Sequence, residues 1–413
     1  MKIVMVVRAL PVHRLGGLEL HTRDLAVALA ERGHEVHLVT SAKPRPGTAC
    51  SDAPSLPDNI TVNYLPIGTP GDYSALYFAG IGAYARQICR RIGGADILHT
   101  QEFAGLFMKH PSPEIAASWV TTVHGTMLSE TALDHRYLRK MPWSKIFGAI
   151  NRNKSRLALI PQFRKSLKKT DRIVTDSEFT QLALLRMNKN LQSKISVVPL
   201  GLDARRYNVP SDGLPPCVPL PAGLAPAPLT VAMLGRMQDL KGIPDALAAA
   251  RILKKADIRV NFKIAGGGEG YEDAKDFVAK HQLHDSVELL GHLAPNEVSN
   301  FLSNADLMLF PDRTQPAFGL VAAEAMLHGL PVIGTKCGAI PEIVEDGENG
   351  WLVNAWAPQE IADLLARLSM TEARTEILSM AQGAHRHVRR LMASDMAAAM
   401  ESVYEQSLPT SFL

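Results

Sequence analysis

The chain has 413 residues, 46% of them hydrophobic and 21% charged, with a formal net charge of +3. At roughly 100–200 residues per domain this length gives two domains, and the small net charge gives no reason to expect nucleic acid as a partner. Cys50, Cys89, Cys217 and Cys337 are too scattered for a zinc or redox pair, and no stretch reaches the ~18–20 apolar residues of a membrane span, so the expected location is the cytoplasm.

The elements follow in chain order. KIVMVV (2–7) is a short apolar, β-branched run, as a buried parallel strand should be. Arg8 interrupts it and no cleavage site follows, so it reads as a strand and not as a signal peptide. A loop leads to LELHTRDLAVALAERGHEVHLVT, where Leu18, Leu25 and Leu29 share a helical face, Gly33 supplies the stop, and EVHLVT is a second strand. DILHT (96–100), WVTTVHG (119–125), RIVTDS (172–177) and KISVVPLG (194–201) continue as strands between helical segments. Such alternation implies a parallel sheet with helices on both faces. Residues 209–228 are dense in Pro and Gly and read as a linker or surface loop. The pattern then restarts. LTVAMLGR, RVNFKIAGGG, VELLG, ADLMLFP, PVIGT and GWLVN are strands, with IPDALAAARILKKA and EGYEDAKDFVAKHQL as helices. The chain therefore holds two doubly wound α/β units.

Four places can carry chemistry. Gly16-Gly17 lies between the first strand and its helix. Glycine allows a ligand close to the backbone, and a helix N-terminus offers free amides to a phosphate or sugar group; a tight turn without a ligand explains the pair equally well. Arg236 and Lys241, in LGRMQDLKGI, lie just past the first strand of the second unit, where open α/β sheets bind ligands. An Arg fork and a Lys point charge can neutralise a diphosphate, although two solvated cations are the plainer reading of the spacing alone. In QPAFGLVAAEAMLHGLPVIGT (315–335), Phe318-Gly319-Leu320 begins a helix. Glu324 lies about 7–8 Å further along the axis, at ~1.5 Å per residue, near the offset from a nucleotide's phosphates to its ribose. A carboxylate there can accept from both ribose hydroxyls, or can simply be solvated. His124 ends a strand beside Gly125 and can contact a sugar, though a lone histidine is more often structural. Gly266-Gly267-Gly268 has poor spacing for a dinucleotide site. The chain has no Asp-x-Asp to carry a metal on a diphosphate, so positive charge falls to Arg236, Lys241 and helix ends.

Taken together, GGLELHTRDLAVALAERGHEV (16–36), TVHGT (122–126), VVPLGLD (197–203), LGRMQDLKG (234–242), IAGGGEG (264–270), ELLGHL (288–293), FGLVAAEAMLHGLPVIGT (318–335) and GAIPEIVEDGENGWLV (338–353) resemble glycosyltransferase family 4 over nearly the whole chain. The resemblance implies the GT-B fold, two Rossmann-like domains facing a central cleft. It places an acceptor-binding domain at 1–208 and a nucleotide-sugar-binding domain at 229–390, with 391–413 forming a helix that returns to the first domain. It implies retaining transfer from a UDP- or GDP-sugar to a glycan, lipid-linked or small-molecule acceptor, in cell-surface polysaccharide biosynthesis, with no metal and no other cofactor. Carried over residue by residue, Gly17 lies under the diphosphate, Gly16 is donor-binding beside it, and Arg236 and Lys241 bind the diphosphate. The amides of Phe318, Gly319 and Leu320, with Val321 beside them, touch donor sugar and phosphate. Glu324 binds the ribose, and His124 contacts the donor sugar near the anomeric carbon. His124, Arg236 and Lys241 form the catalytic group.

One position departs from the family pattern. The first Glu of its Glu-x(7)-Glu motif is replaced by Pro316, preceded by Gln315, and proline has no side-chain hydrogen bond to give. Three readings follow: an unusual or deoxygenated donor, substitution by Gln315, or impaired activity that leaves a sugar-nucleotide-binding protein. An epimerase is a further alternative, without a carboxylate pair to support it. Residues 136–170 carry eleven Lys or Arg and no Asp or Glu, interleaved with Tyr137, Trp143, Phe147 and Phe163. This composition fits peripheral docking on an anionic membrane, or equally a solvated face or substrate loop.

Overall fold

The computed structural model of the chain describes residues 1–14, 16–44, 56–66, 74–125, 158–207 and 228–410. The expected linker (apart from Pro228), residues 136–157 of the basic segment, Cys50 and Cys217 lie outside the described residues. Two compact units divide the chain, Met1–Leu202 with Met392–Leu413 and Asp203–Leu391.

In the first unit, β1 (Lys2–Val6), β2 (Glu35–Thr40), β3 (Ile60–Tyr64), β4 (Ala95–Gln101), β5 (Ala116–Val123), β6 (Arg172–Thr175) and β7 (Ile195–Val197) form one sheet, ordered β3-β2-β1-β4-β5-β6-β7. Every pairing is parallel, with Ile3 of β1 opposite both Val36 of β2 and Ile97 of β4. Side chains alternate across a strand, so β1 feeds two cores. Ile3, Met5 and Val7 join one cluster, and Val4 and Val6 join another with Phe78 and Trp119. The helices are α1 (Gly17–Glu31), α2 (Ala75–Arg91), α3 (Ile160–Lys169) and α4 (Glu178–Met187). The amides of Gly33 and His34 donate to the carbonyls of Ala30 and Leu29 and close α1, the arrangement expected of a glycine stop.

The second unit repeats the plan with β8 (Leu229–Leu234), β9 (Val260–Ala265), β10 (Val287–Gly291), β11 (Leu307–Phe310), β12 (Val332–Thr335) and β13 (Gly350–Val353), ordered β10-β9-β8-β11-β12-β13. Its helices are α5 (Ile243–Lys255), α6 (Tyr271–Lys280), α7 (Pro295–Ser303), α8 (Leu320–Leu327), the single turn α9 (Ile340–Ile343), α10 (Pro358–Leu368) and α11 (Arg374–Val388).

The last helix, α12 (Ala393–Ser407), belongs to the first unit. Met396, Ala397, Met400, Val403 and Tyr404 recur at helical spacing and enter the cluster that holds Ile3, Met5 and Leu25. Burying each of the larger side chains contributes about 1.5–3 kcal/mol. The amide of Ala393 donates to the carbonyl of Leu202 at 2.9 Å, and Gly201 passes so close to the Met392 carbonyl that a side chain there would collide with it. Residues 203–207 fall in the second unit and not with 1–202. Ser299 of α7 donates to the Tyr207 carbonyl at 2.9 Å and helps fix this short segment there. Among the described residues no helix is long and apolar enough to cross a membrane.

Candidate active site

The sheet of the second unit reverses its strand order between β8 and β11. In open α/β sheets such a point, at the carboxyl ends of the strands, is where ligands bind. Two loops meet there. The loop after β8 carries exposed Arg236, buried Met237 and the turn Asp239–Lys241. It is braced from below by the triglycine, where Gly266 abuts Gly235 so closely that no side chain fits. The Met237 amide donates to the Gly267 carbonyl, and the Gly270 amide to the Met237 carbonyl, each at 2.9 Å. Gly266-Gly267-Gly268 therefore holds up the Arg236 loop.

The loop after β11 is fastened to the first by charge. Lys241 Nζ donates to Asp312 Oδ2 at 2.6 Å, with the Asp312 side chain fully buried. Asp312 also accepts from the Thr314 amide and hydroxyl at 2.9 and 2.6 Å. Next to it, Arg313 forks onto both oxygens of Asp245 at 2.7 Å each and stacks on Trp356, 4.0 Å from the ring centroid. Gly242, at φ 75°, presses on the Pro311 carbonyl; a larger residue there would meet both a strained backbone and a collision. Lys241 is thus a cation already held by a buried carboxylate. Arg236 makes no side-chain hydrogen bond or ion pair with the described residues.

Beyond this staple the chain enters α8 with Gly319 as N-cap and Phe318 buried below it. The first amides of a helix lack partners within it, so those of Gly319, Leu320 and Val321 open at the same end of the sheet as Arg236 and Lys241. Pro316 lies just ahead, its carbonyl accepting from the Ala339 amide at 2.8 Å. Glu324, one turn into α8, has partners of its own. Tyr207 donates its hydroxyl to Glu324 Oε1, and Arg206 Nη2 lies 3.6 Å from the same oxygen. His328 Nδ1 is 2.8 Å from the Glu324 carbonyl, and burial lowers the pKa of His328.

In the first unit, Gly16 is the extended N-cap of α1, and exposed Gly17 is its first residue. His124 follows β5, its Nδ1 3.5 Å from Asp176 Oδ2, an ion pair when His124 is protonated. Its ring lies edge-on to that of His21, with centroids 4.8 Å apart. Burial first, then the neighbouring His124 and His99, hold the His21 pKa well below its ordinary value. The structure thus groups Arg236, Lys241, Phe318, Gly319, Leu320, Val321 and Glu324 in the second unit, and Gly16, Gly17 and His124 in the first. Sequence reasoning missed Asp312, Arg313, Asp245, Arg206, Tyr207 and Asp176. Arg206 and Tyr207 follow VVPLGLD, Asp245 follows LGRMQDLKG, and Asp176 lies within RIVTDS.

Two family models match the chain, Glycosyltransferase Family 4 over residues 15–206 and Glycosyl transferases group 1 over residues 222–381. A glycogen synthase of Mycobacterium tuberculosis (strain ATCC 25618 / H37Rv) is 27% identical over 386 residues, 89% of this chain and 84% of that protein. The amylovoran biosynthesis glycosyltransferase AmsK of Erwinia amylovora is 31% identical over 44% of this chain and 43% of its own. Several of the relatives are matched over only about half their length, 42 to 51%. Anabaena HepE in complex with UDP and glucose has the same fold, with a TM-score of 0.66 at 18% identity over 98% of this chain and 100% of that one. With its two halves matched in turn and the fold shared from end to end, the chain belongs to glycosyltransferase family 4.

Proposed function

We propose that the chain moves a sugar from a UDP- or GDP-sugar to a glycan, lipid-linked or small-molecule acceptor in cell-surface polysaccharide biosynthesis, retaining the anomeric configuration and using no metal or other cofactor. The observation that carries this reading is the β8–β11 switch point, where Arg236, Lys241 and the N-terminus of α8 share one end of the sheet. HepE, of the same fold, binds UDP and glucose, and AmsK acts in amylovoran biosynthesis. As the bond from sugar to phosphate lengthens, negative charge grows on the departing diphosphate. Cations and amides fixed in advance stabilise it without reorganising. The acceptor hydroxyl attacks from the face the diphosphate leaves, and its proton passes to the departing phosphate, giving a glycoside and a nucleoside diphosphate. His124 contacts the donor sugar and Glu324 the ribose. Incubation with UDP- and GDP-sugars and glycan acceptors in chelator tests this, with formation of a retained glycoside as the expected result.

A second reading is motivated by Pro316, which presents no side-chain donor or acceptor and is held through its carbonyl. It makes the chain a sugar-nucleotide-binding protein with impaired turnover. Binding of a donor with no release of nucleoside diphosphate from any donor favours it. We also propose that the first unit docks on anionic membrane. Arg164, Lys165 and Lys168 on α3 are exposed, and positive charge near an anionic surface contributes about 1 kcal/mol per residue. Absence of co-sedimentation with anionic vesicles at low salt rules docking out.

A further inference from the structure

Glu324 is the carboxylate assigned to the ribose, yet it already has an occupant. Its Oε1 accepts from the Tyr207 hydroxyl and lies 3.6 Å from the Arg206 guanidinium, with the Arg206 and Glu324 side chains only 10% and 12% exposed. Neither partner is loosely placed. The Tyr207 carbonyl accepts from Ser299 at 2.9 Å, and its ring stands edge-on to His328, with centroids 5.6 Å apart. His328 is itself tied to the Glu324 carbonyl and lies 3.0 Å from Ser299. Arg206 lies over the Tyr207 ring, 4.9 Å from its centroid. The short helix Ala204–Tyr207 thus presents a hydroxyl and a cation to one oxygen of the carboxylate, from within the same unit.

A ribose diol hydrogen-bonds through two hydroxyls, and a hydroxyl–carboxylate bond is directional. We infer that Tyr207 and Arg206 are a built-in occupant of the ribose-recognition carboxylate, which the nucleotide must displace, so that donor affinity is set by an exchange of hydroxyls at Glu324. The inference rests on the ribose role given to Glu324 above. The tyrosine hydroxyl stands in for a sugar hydroxyl and keeps a nearly buried carboxylate satisfied. The exchange makes affinity respond to changes in a segment that never touches the phosphates.

The test is the affinity for UDP and GDP, and for their 2′,3′-dideoxy analogues, of the full chain and of the variants Tyr207→Phe, Tyr207→Phe with Arg206→Gln, and Glu324→Gln. Thermal midpoints of all four show whether each is folded. The expected result is that Tyr207→Phe binds the ribonucleotides several-fold to about tenfold more tightly, a charge-assisted hydrogen bond having been removed from the competing state. The double variant binds at least as tightly, and the gain vanishes with the dideoxy analogues. Unchanged or weaker ribonucleotide binding by Tyr207→Phe and by the double variant, with Glu324→Gln still weakened, overturns the inference and leaves the ribose assignment standing; Tyr207 would then orient Glu324. If Glu324→Gln binds as the unaltered chain does and dideoxy analogues bind no more weakly than ribonucleotides, the ribose assignment fails and the inference with it.

Discussion

Arg236 and Lys241 bear the same charge on neighbouring positions of one loop, but the structure gives them different work. Arg236 is exposed and has no side-chain partner among the described residues, whereas Lys241 is committed to buried Asp312. Arg236→Ala should therefore leave the thermal midpoint nearly unchanged while lowering the transfer rate about 10²–10³-fold, the usual effect of deleting one fixed donor. A rate within about threefold of normal sinks the charge-stabilising role. Lys241→Ala should cost stability as well, about 1–3 kcal/mol, because it leaves Asp312 buried without its cation. Lys241→Met combined with Asp312→Asn should return the midpoint but not the rate, read by calorimetry beside a transfer assay. The two cations were legible in LGRMQDLKG because a motif places them next to a strand end. Their carboxylates were not: Asp312 is 71 residues from Lys241, and Asp245 is 68 from Arg313, distances at which only the packed sheet decides who meets whom.

At the scale of elements, the apolar runs that mark β1, β2, β8, β9 and β11 to β13 were readable because strands buried on both faces leave little room for polar residues. Ile60–Tyr64 and Ala75–Arg91 were passed over; Pro and Gly crowd the stretches around them and obscure their periods. The contact between β4 and α12 was equally invisible. The Tyr404 hydroxyl lies 2.8 Å from His99 Nδ1, and His99 Nε2 lies 2.7 Å from Thr122 Oγ1, all of it buried. Burial first, and then nearby His124, lower the His99 pKa from 6.5 to about 3. Above about pH 6.5 folded and unfolded chains both hold this histidine neutral, and it adds no pH dependence. Between 6.5 and 3 the unfolded chain takes up a proton that the folded one refuses, so stability should fall as the pH is lowered through that window. Denaturant midpoints at pH 7, 5.5 and 4.5 should decline in turn, and His99→Gln should flatten the decline. Tyr404→Phe should cost about 1–3 kcal/mol at pH 7 by leaving a buried ring nitrogen unsatisfied.

For the whole molecule, a chain divided between two units can still be interdependent in its stability. The first unit contains residues from both ends of the chain. Ending the chain at Leu391 removes Met396, Met400, Val403 and Tyr404 from a core they share with Ile3, Met5 and Leu25. The shortened protein should unfold several degrees lower and bind an apolar dye in its native state. Saturating nucleotide should stabilise the full chain by about 2.7 kcal/mol at a hundredfold excess over its dissociation constant. A midpoint that ignores both UDP and GDP at millimolar concentration would argue against the proposed donor.

The placement of α12 also sets a timetable. The sheet of the first unit leaves the ribosome early, but the helix that covers the Ile3 and Met5 face is made roughly 190 residues after Leu202, about 10–40 s later at ~5–20 residues per second. Throughout that interval the face has α1 on it but lacks the apolar cover of α12, while the whole second unit is being synthesised. Completion of the first half is therefore paced by translation and not by its own folding rate, and the nascent chain should depend on holding factors during that interval.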